Sequence, residues 1–148
     1  MDVSGIPDGI RGHEELVALF GRWPTFHDAE VRSIALMRDE GRRLTGPVCT
    51  AVVCPIGEPG APAEEGPLVT LRFYDVYDLH LRGFNHQNPI LGLEVVPFDA
   101  ARGSQALAPG RLEVTFMEVA EGDFGARFTC SRVEVVSLQP LPDDWEGS

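Results

Sequence analysis

Apolar residues recur along this chain with two spacings. Within HEELVALFGR (13–22), Leu16, Val17, Leu19 and Phe20 fall on one side of a helix, with Glu14 and Glu15 near its positive end. Gly21 and Pro24 stop it, so a helix of about ten residues is predicted. From Glu30 onward the period drops to two. EVRSIALMRD (30–39), the polar turn EGRR and PVCTAVVCPI (47–56) read as an antiparallel hairpin. LVTLRFYDVYDLHLRGF (68–84) reads as one long strand or two joined by a kink. In it Val69, Leu71 and Phe73 share a face, then Tyr77, Leu79 and Leu81, with Asp78, His80 and Arg82 opposite. NHQNP (85–89) is a turn, and ILGLEVVPF (90–98) is a strand. RLEVTFMEV (111–119) alternates Leu112, Val114 and Phe116 against Arg111, Glu113 and Thr115. After the tight turn EGD, Phe124, Ala126, Phe128 and Cys130 share a face. The phase then shifts to Val133 and Val135, which places a bulge or bend near Ser131–Arg132.

One early helix followed by six to eight strands, without strand–helix alternation, predicts a mainly β (α+β) fold. The expected form is a curved antiparallel sheet or β-sandwich, with the helix against one face or end. Residues 57–67 and 99–110 are Pro/Gly/Ala-rich loops too short to divide domains, so residues 1–148 form a single domain. Gly83, before Phe84, marks a bend or a close backbone approach.

An apolar fraction of 43% over 148 residues is that of a globular chain able to bury a core. No apolar run is long enough for a membrane span, and the first residues lack the pattern of a secretory signal. A soluble, cytoplasmic protein is expected. Cys49, Cys54 and Cys130 lie in apolar contexts, lack a CxxC spacing and read as buried free thiols. The net charge is −11, and all twelve basic residues are arginine. That balance offers no cationic track for nucleic acid and suits either a basic protein partner or a simple solubilising surface.

His27-Asp28 resembles the dyad of metal-dependent phosphohydrolases. A small metal-dependent hydrolase would need His27, Asp28 and His80 to converge, with His86 or Asp78 as further ligands. The structural alternative buries Trp23 and Phe26 and lets Asp28 satisfy backbone donors in a turn before a strand. Asp78, His80 and Arg82 form either a binding row or a solvated sheet face. Glu113, Glu118, Glu121 and Asp123 gather around one predicted hairpin, with Asp143, Asp144 and Glu146 in the tail. Candidate partner-binding residues are therefore Asp78, His80, Glu113, Glu118, Glu121 and Asp123. Neither a serine elbow nor a phosphate-binding glycine loop is present, so no catalytic, metal or cofactor residue is assigned. A small-ligand module within the β-structure is a further alternative.

Two segments carry a family resemblance. WPTFHDAEVRSIAL (23–36) is similar to the W-x-x-F-H-D-x-E-[VIL] motif of bacterial immunity protein 50 type proteins. GFNHQNPILGLEV (83–95) is similar to their Asn-rich turn and following GLE strand. The resemblance implies a non-enzymatic protein, encoded beside a polymorphic toxin, that binds and neutralises that toxin in the producing cell. It further implies that Trp23, Phe26, His27, Asp28, Glu30, Asn85, Asn88, Gly92, Leu93 and Glu94 preserve the fold, while toxin-contacting residues differ between partners. A homodimer formed by sheet extension is compatible with an exposed edge strand.

Overall fold

The computed structural model of the chain describes residues 10–38, 46–55, 68–98 and 111–139. The loops 57–67 and 99–110 and the acidic tail residues Asp143, Asp144 and Glu146 lie outside them. The helix α1 (Glu14–Phe20) is shorter than the pattern predicted; it buries Leu16, Val17 and Phe20, while Leu19 faces out. Gly21 closes it in the left-handed conformation (φ 79°) and donates its N–H to the Val17 carbonyl, a geometry that costs glycine no Cβ clash.

Nine strands form two sheets among the described residues. The first sheet has the order β1 (Ile10–Arg11), β9 (Arg132–Gln139), β4 (Leu68–Tyr74), β3 (Val48–Cys54), β2 (Glu30–Met37). The second has β5 (Tyr77–Arg82), β8 (Gly125–Cys130), β7 (Leu112–Glu118), β6 (Ile90–Pro97). All pairings are antiparallel except the two-residue β1, which runs parallel to β9 and which the alternation did not foresee. The fold is thus the expected β-rich architecture, with α1 lying against β9.

Between the sheets sits a chain of phenylalanines. Phe73 of β4 meets Phe128 of β8 edge-to-face at 5.0 Å and Phe116 of β7 at 5.9 Å. Phe116 in turn meets Phe124 at 6.0 Å, and the exposed Phe84 caps Phe124 at 5.8 Å. Aromatic packing of this kind fixes the sheets' separation as well as burying area. Cys49, Cys54 and Cys130 are buried and free. Burial pushes the thiols of Cys49 and Cys130 up to about 12, so both are protonated at neutral pH and neither serves as a nucleophile there.

The two long runs read as kinked strands bend at the same place. Residues 68–82 leave the first sheet after Tyr74 and enter the second at Tyr77. Residues 125–139 do the same in reverse at Ser131, whose N–H donates to the Tyr74 carbonyl at 2.8 Å. The pair β4–β9 therefore continues as β5–β8 through one shared corner, so the bulge or bend expected near Ser131–Arg132 is a bend that carries the chain from one sheet to the other. Gly83 makes the close approach foreseen for it: its φ is 71°, and a Cβ there would run into the Asp123 carbonyl.

Candidate functional site

The two signature segments lie side by side. Leu93 N–H donates to the Thr25 carbonyl at 3.0 Å, Asp28 N–H to Ile90 at 3.0 Å, Ile90 N–H to Ala29 at 2.9 Å and Val31 N–H to Asn88 at 2.9 Å. Residues 25–31 thereby run along the outer edge of β6 before entering β2, and stitch the second sheet to the first. Within this seam Phe26 and Asp28 both adopt left-handed backbone (φ 60° and 61°), strained by about 1 kcal/mol each for a side chain bearing a Cβ. The alternation of two left-handed residues turns the chain sharply enough to bury Phe26 completely, with Trp23 against its edge at 5.9 Å.

Asn88 holds the other side. It is buried, and its Nδ2 donates to the Val31 carbonyl at 3.2 Å and the Asn85 carbonyl at 2.7 Å, while its Oδ1 accepts from Asn85 N–H at 2.5 Å. Glu30 reaches the Asn88 N–H at 3.4 Å with one oxygen and Arg32 at 3.5 Å with the other. Asn85 accepts from His86 N–H at 2.9 Å, closing the turn.

His27 and Asp28 are at the surface, with side chains 53% and 64% exposed and 3.5 Å apart. His27 Nδ1 lies 2.8 Å from the Leu91 carbonyl, which can only accept, so that nitrogen carries a proton. Among the described residues the Asp28 carboxylate takes no backbone donor of the turn, contrary to expectation: Thr25 Oγ1 accepts from His27 N–H, and Asp28 contributes its backbone N–H to the seam. His80 stands on β5, at the far edge of the sheet from β6. Three strand spacings, about 14 Å, separate those edges. The proposed ligands His27, Asp28 and His80 therefore do not converge, and no metal-sized cluster of His, Cys, Asp or Glu occurs among the described residues.

The candidate partner-binding residues fall on and around the outer face of the second sheet. His80 opposes Arg127, Thr115 opposes both Arg127 and Glu94, and Glu113 opposes Thr129 and Val96. Asp78 accepts a hydrogen bond from His80 at 3.1 Å. Tyr77 joins this outer face, a correction to the simple alternation that grouped it with Leu79 and Leu81. Asp78 is left-handed (φ 59°), and the register slips between Tyr77 and His80, so one extra residue inverts the phase. Nor do the hairpin acids form one cluster. Glu118, Glu121 and Asp123 sit at the β7–β8 turn, whereas Glu113 lies five residues back along β7, about 17 Å away. Arg82 occupies Glu118 through two contacts, at 2.7 and 3.1 Å.

Two depressions indent this face. One, of about 460 Å³, is bounded by His80, Arg82, Thr115, Glu118 and Arg127. The other, of about 660 Å³, lies between Trp23, His27, Leu91, Glu94 and Met117. Met117 borders both, so the hollowed surface extends from β5 to the signature corner. The outer face of the first sheet is knit to itself instead: Tyr74 donates to Glu134 at 2.5 Å, Arg132 stacks on Tyr74 at 4.2 Å and Arg72 donates to Thr50.

A unit the pattern did not reveal is Arg111, read as an outward strand residue but buried. It donates to Asp75 Oδ2 at 2.9 Å, to the Asp75 carbonyl at 2.5 Å and to Thr129 Oγ1. Its position on the outer face was legible; its burial under the β4–β5 crossover was not. The available sign was the Asp75-Val76 break between two alternating runs.

No helix among the described residues is long and apolar enough to cross a membrane. Comparison with curated proteins and with solved structures finds no significant match. A family model described as Immunity protein 50 matches residues 12–141, spanning both seam segments and every strand but β1, and the chain belongs to that family.

Proposed function

We propose that this protein binds and neutralises a cognate bacterial polymorphic toxin in the cytoplasm of the cell that makes it, by occupying the toxin's surface rather than by catalysis. The family match over residues 12–141 carries this reading. The outer face of the second sheet is the contact surface that the geometry favours. It gathers Asp78, His80 and Glu113, and Glu118, Glu121 and Asp123 extend it over the hairpin tip.

Size supports using both parts. Four strands of six to eight residues present a face of about 19 by 23 Å, on the order of 450 Å² before side-chain relief. A stable complex takes roughly 800 Å² from each partner, so the sheet face alone falls short and the hairpin tip makes up area. The net charge of −11 favours a basic toxin, whose approach it accelerates. The small-ligand alternative finds no enclosed chamber among the described residues, because the space between the sheets is filled by the phenylalanine chain.

Co-expression tests the reading. The toxin encoded beside this chain is expected to arrest growth alone and to be tolerated with it, and the two should co-purify. Unrelieved growth arrest with both proteins present and folded is the contrary outcome.

A further inference from the structure

We infer that the depression beside Arg127 receives a carboxylate side chain of the bound protein, with Arg127 as its anchor. This rests on the proposed function and specifies how the surface is read. A strand glycine leaves room for the ion pair that borders the pocket. Gly125 stands opposite Arg82, and a Cβ there would approach Glu118 Cβ at 3.3 Å and Arg82 Nη2 at 3.7 Å. With that position bare, Arg82 lies across β8 and forks onto Glu118 of β7, at 2.7 Å from Nη2 and 3.1 Å from Nε. Next to this pair the surface sinks into the cavity of about 460 Å³, with Thr115 and Met117 among its lining and His80 and Arg127 on its β5 side.

The charges around that cavity are unequally satisfied. Glu118 is held by Arg82 and His80 by Asp78. The Arg127 guanidinium has neither an ion pair nor a side-chain hydrogen bond with any described residue. One exposed cation beside the hollow thus remains uncommitted among the described residues, and its planar donor fork matches a carboxylate in a bidentate arrangement. The chain as a whole is strongly acidic and repels acidic surfaces. A carboxylate reaches Arg127 only when carried within an otherwise basic partner surface, and this combination sets docking register as well as affinity.

The test is the equilibrium affinity of the purified full-length chain for the neighbouring toxin, with Arg127→Glu, Arg127→Ala and Arg11→Glu as variants. Arg11 is exposed on β1 of the other sheet, and Arg11→Glu changes net charge as much as Arg127→Glu. Arg127→Glu is expected to weaken binding by about 100-fold and Arg127→Ala by about 10-fold, with melting temperatures unchanged. Arg11→Glu should retain most of the affinity. Reversal of one toxin Asp or Glu to Lys should then restore binding to Arg127→Glu. Wild-type affinity in Arg127→Glu, or an equal loss in Arg11→Glu, overturns the inference while leaving the immunity reading intact. Failure of the wild type to bind overturns both.

Discussion

The chain passes between its sheets at two corners, and they are held by different chemistry. All four left-handed non-glycine residues described lie at these corners, Phe26 and Asp28 at one, Asp75 and Asp78 at the other. So do all three buried polar side chains among the described residues, Asn88 at the first, Arg111 and Thr129 at the second. The signature corner is closed by a neutral amide bonded to backbone groups. The 74–77 corner is closed by an ion pair in which Arg111 is 7% exposed but Asp75 is 52% exposed. Removing Asn88 strands the buried Val31 carbonyl and unpairs two backbone groups of the exposed Asn85; removing Arg111 releases Asp75 to water and takes its donors from the buried Thr129 hydroxyl. A methionine fills the Arg111 site whereas alanine at position 88 leaves a gap, so the neutral corner should be the more costly to break, although the other carries the charge.

Substitutions can break or sharpen that contrast. Phe26→Ala should do the most damage, lowering stability by about 3–5 kcal/mol in denaturant melts, because it empties a fully buried site at the signature corner. Asn88→Ala should follow at about 2–3 kcal/mol, since Asn85 N–H and the Val31 and Asn85 carbonyls lose their partner. Arg111→Met should cost less, about 1–2 kcal/mol, as the methionine stem keeps the packing and Asp75 hydrates. A larger loss for Arg111→Met than for Asn88→Ala would invert the contrast. Asp28→Gly should be the mildest, ranging from no change to a gain of about 1 kcal/mol, because glycine relieves the left-handed strain and the side chain is exposed.

Much of this architecture was legible as alternation. The β2–β3 hairpin, the strands on either side of the β7–β8 turn and the phase shift near Ser131 all follow from which positions need burial. Alternation assigns a face, but it does not say what covers that face. Arg111 was placed on the correct side and yet lies under the crossover at Asp75. A single inserted residue at Asp78 likewise moved Tyr77 to the opposite side. The pairing of residues 25–31 with 88–93 joins segments about sixty positions apart and has no local signature in either. Family resemblance pointed to both segments, and the structure supplies the reason they belong together: His27, Asp28, Glu30, Asn85 and Asn88 hold one seam.

The central claim is a division of labour, with the signature corner maintaining the fold and the outer face of the second sheet recognising the toxin. Its most direct test is the dissociation constant for the neighbouring toxin of Asn88→Ala, taken well below its melting temperature, beside that of Arg127→Glu. Asn88→Ala should be less stable yet bind within about threefold of the wild type, while Arg127→Glu should melt normally and bind about 100-fold more weakly. The opposite pattern, with folded Asn88→Ala failing to bind and Arg127→Glu binding as the wild type does, would contradict it.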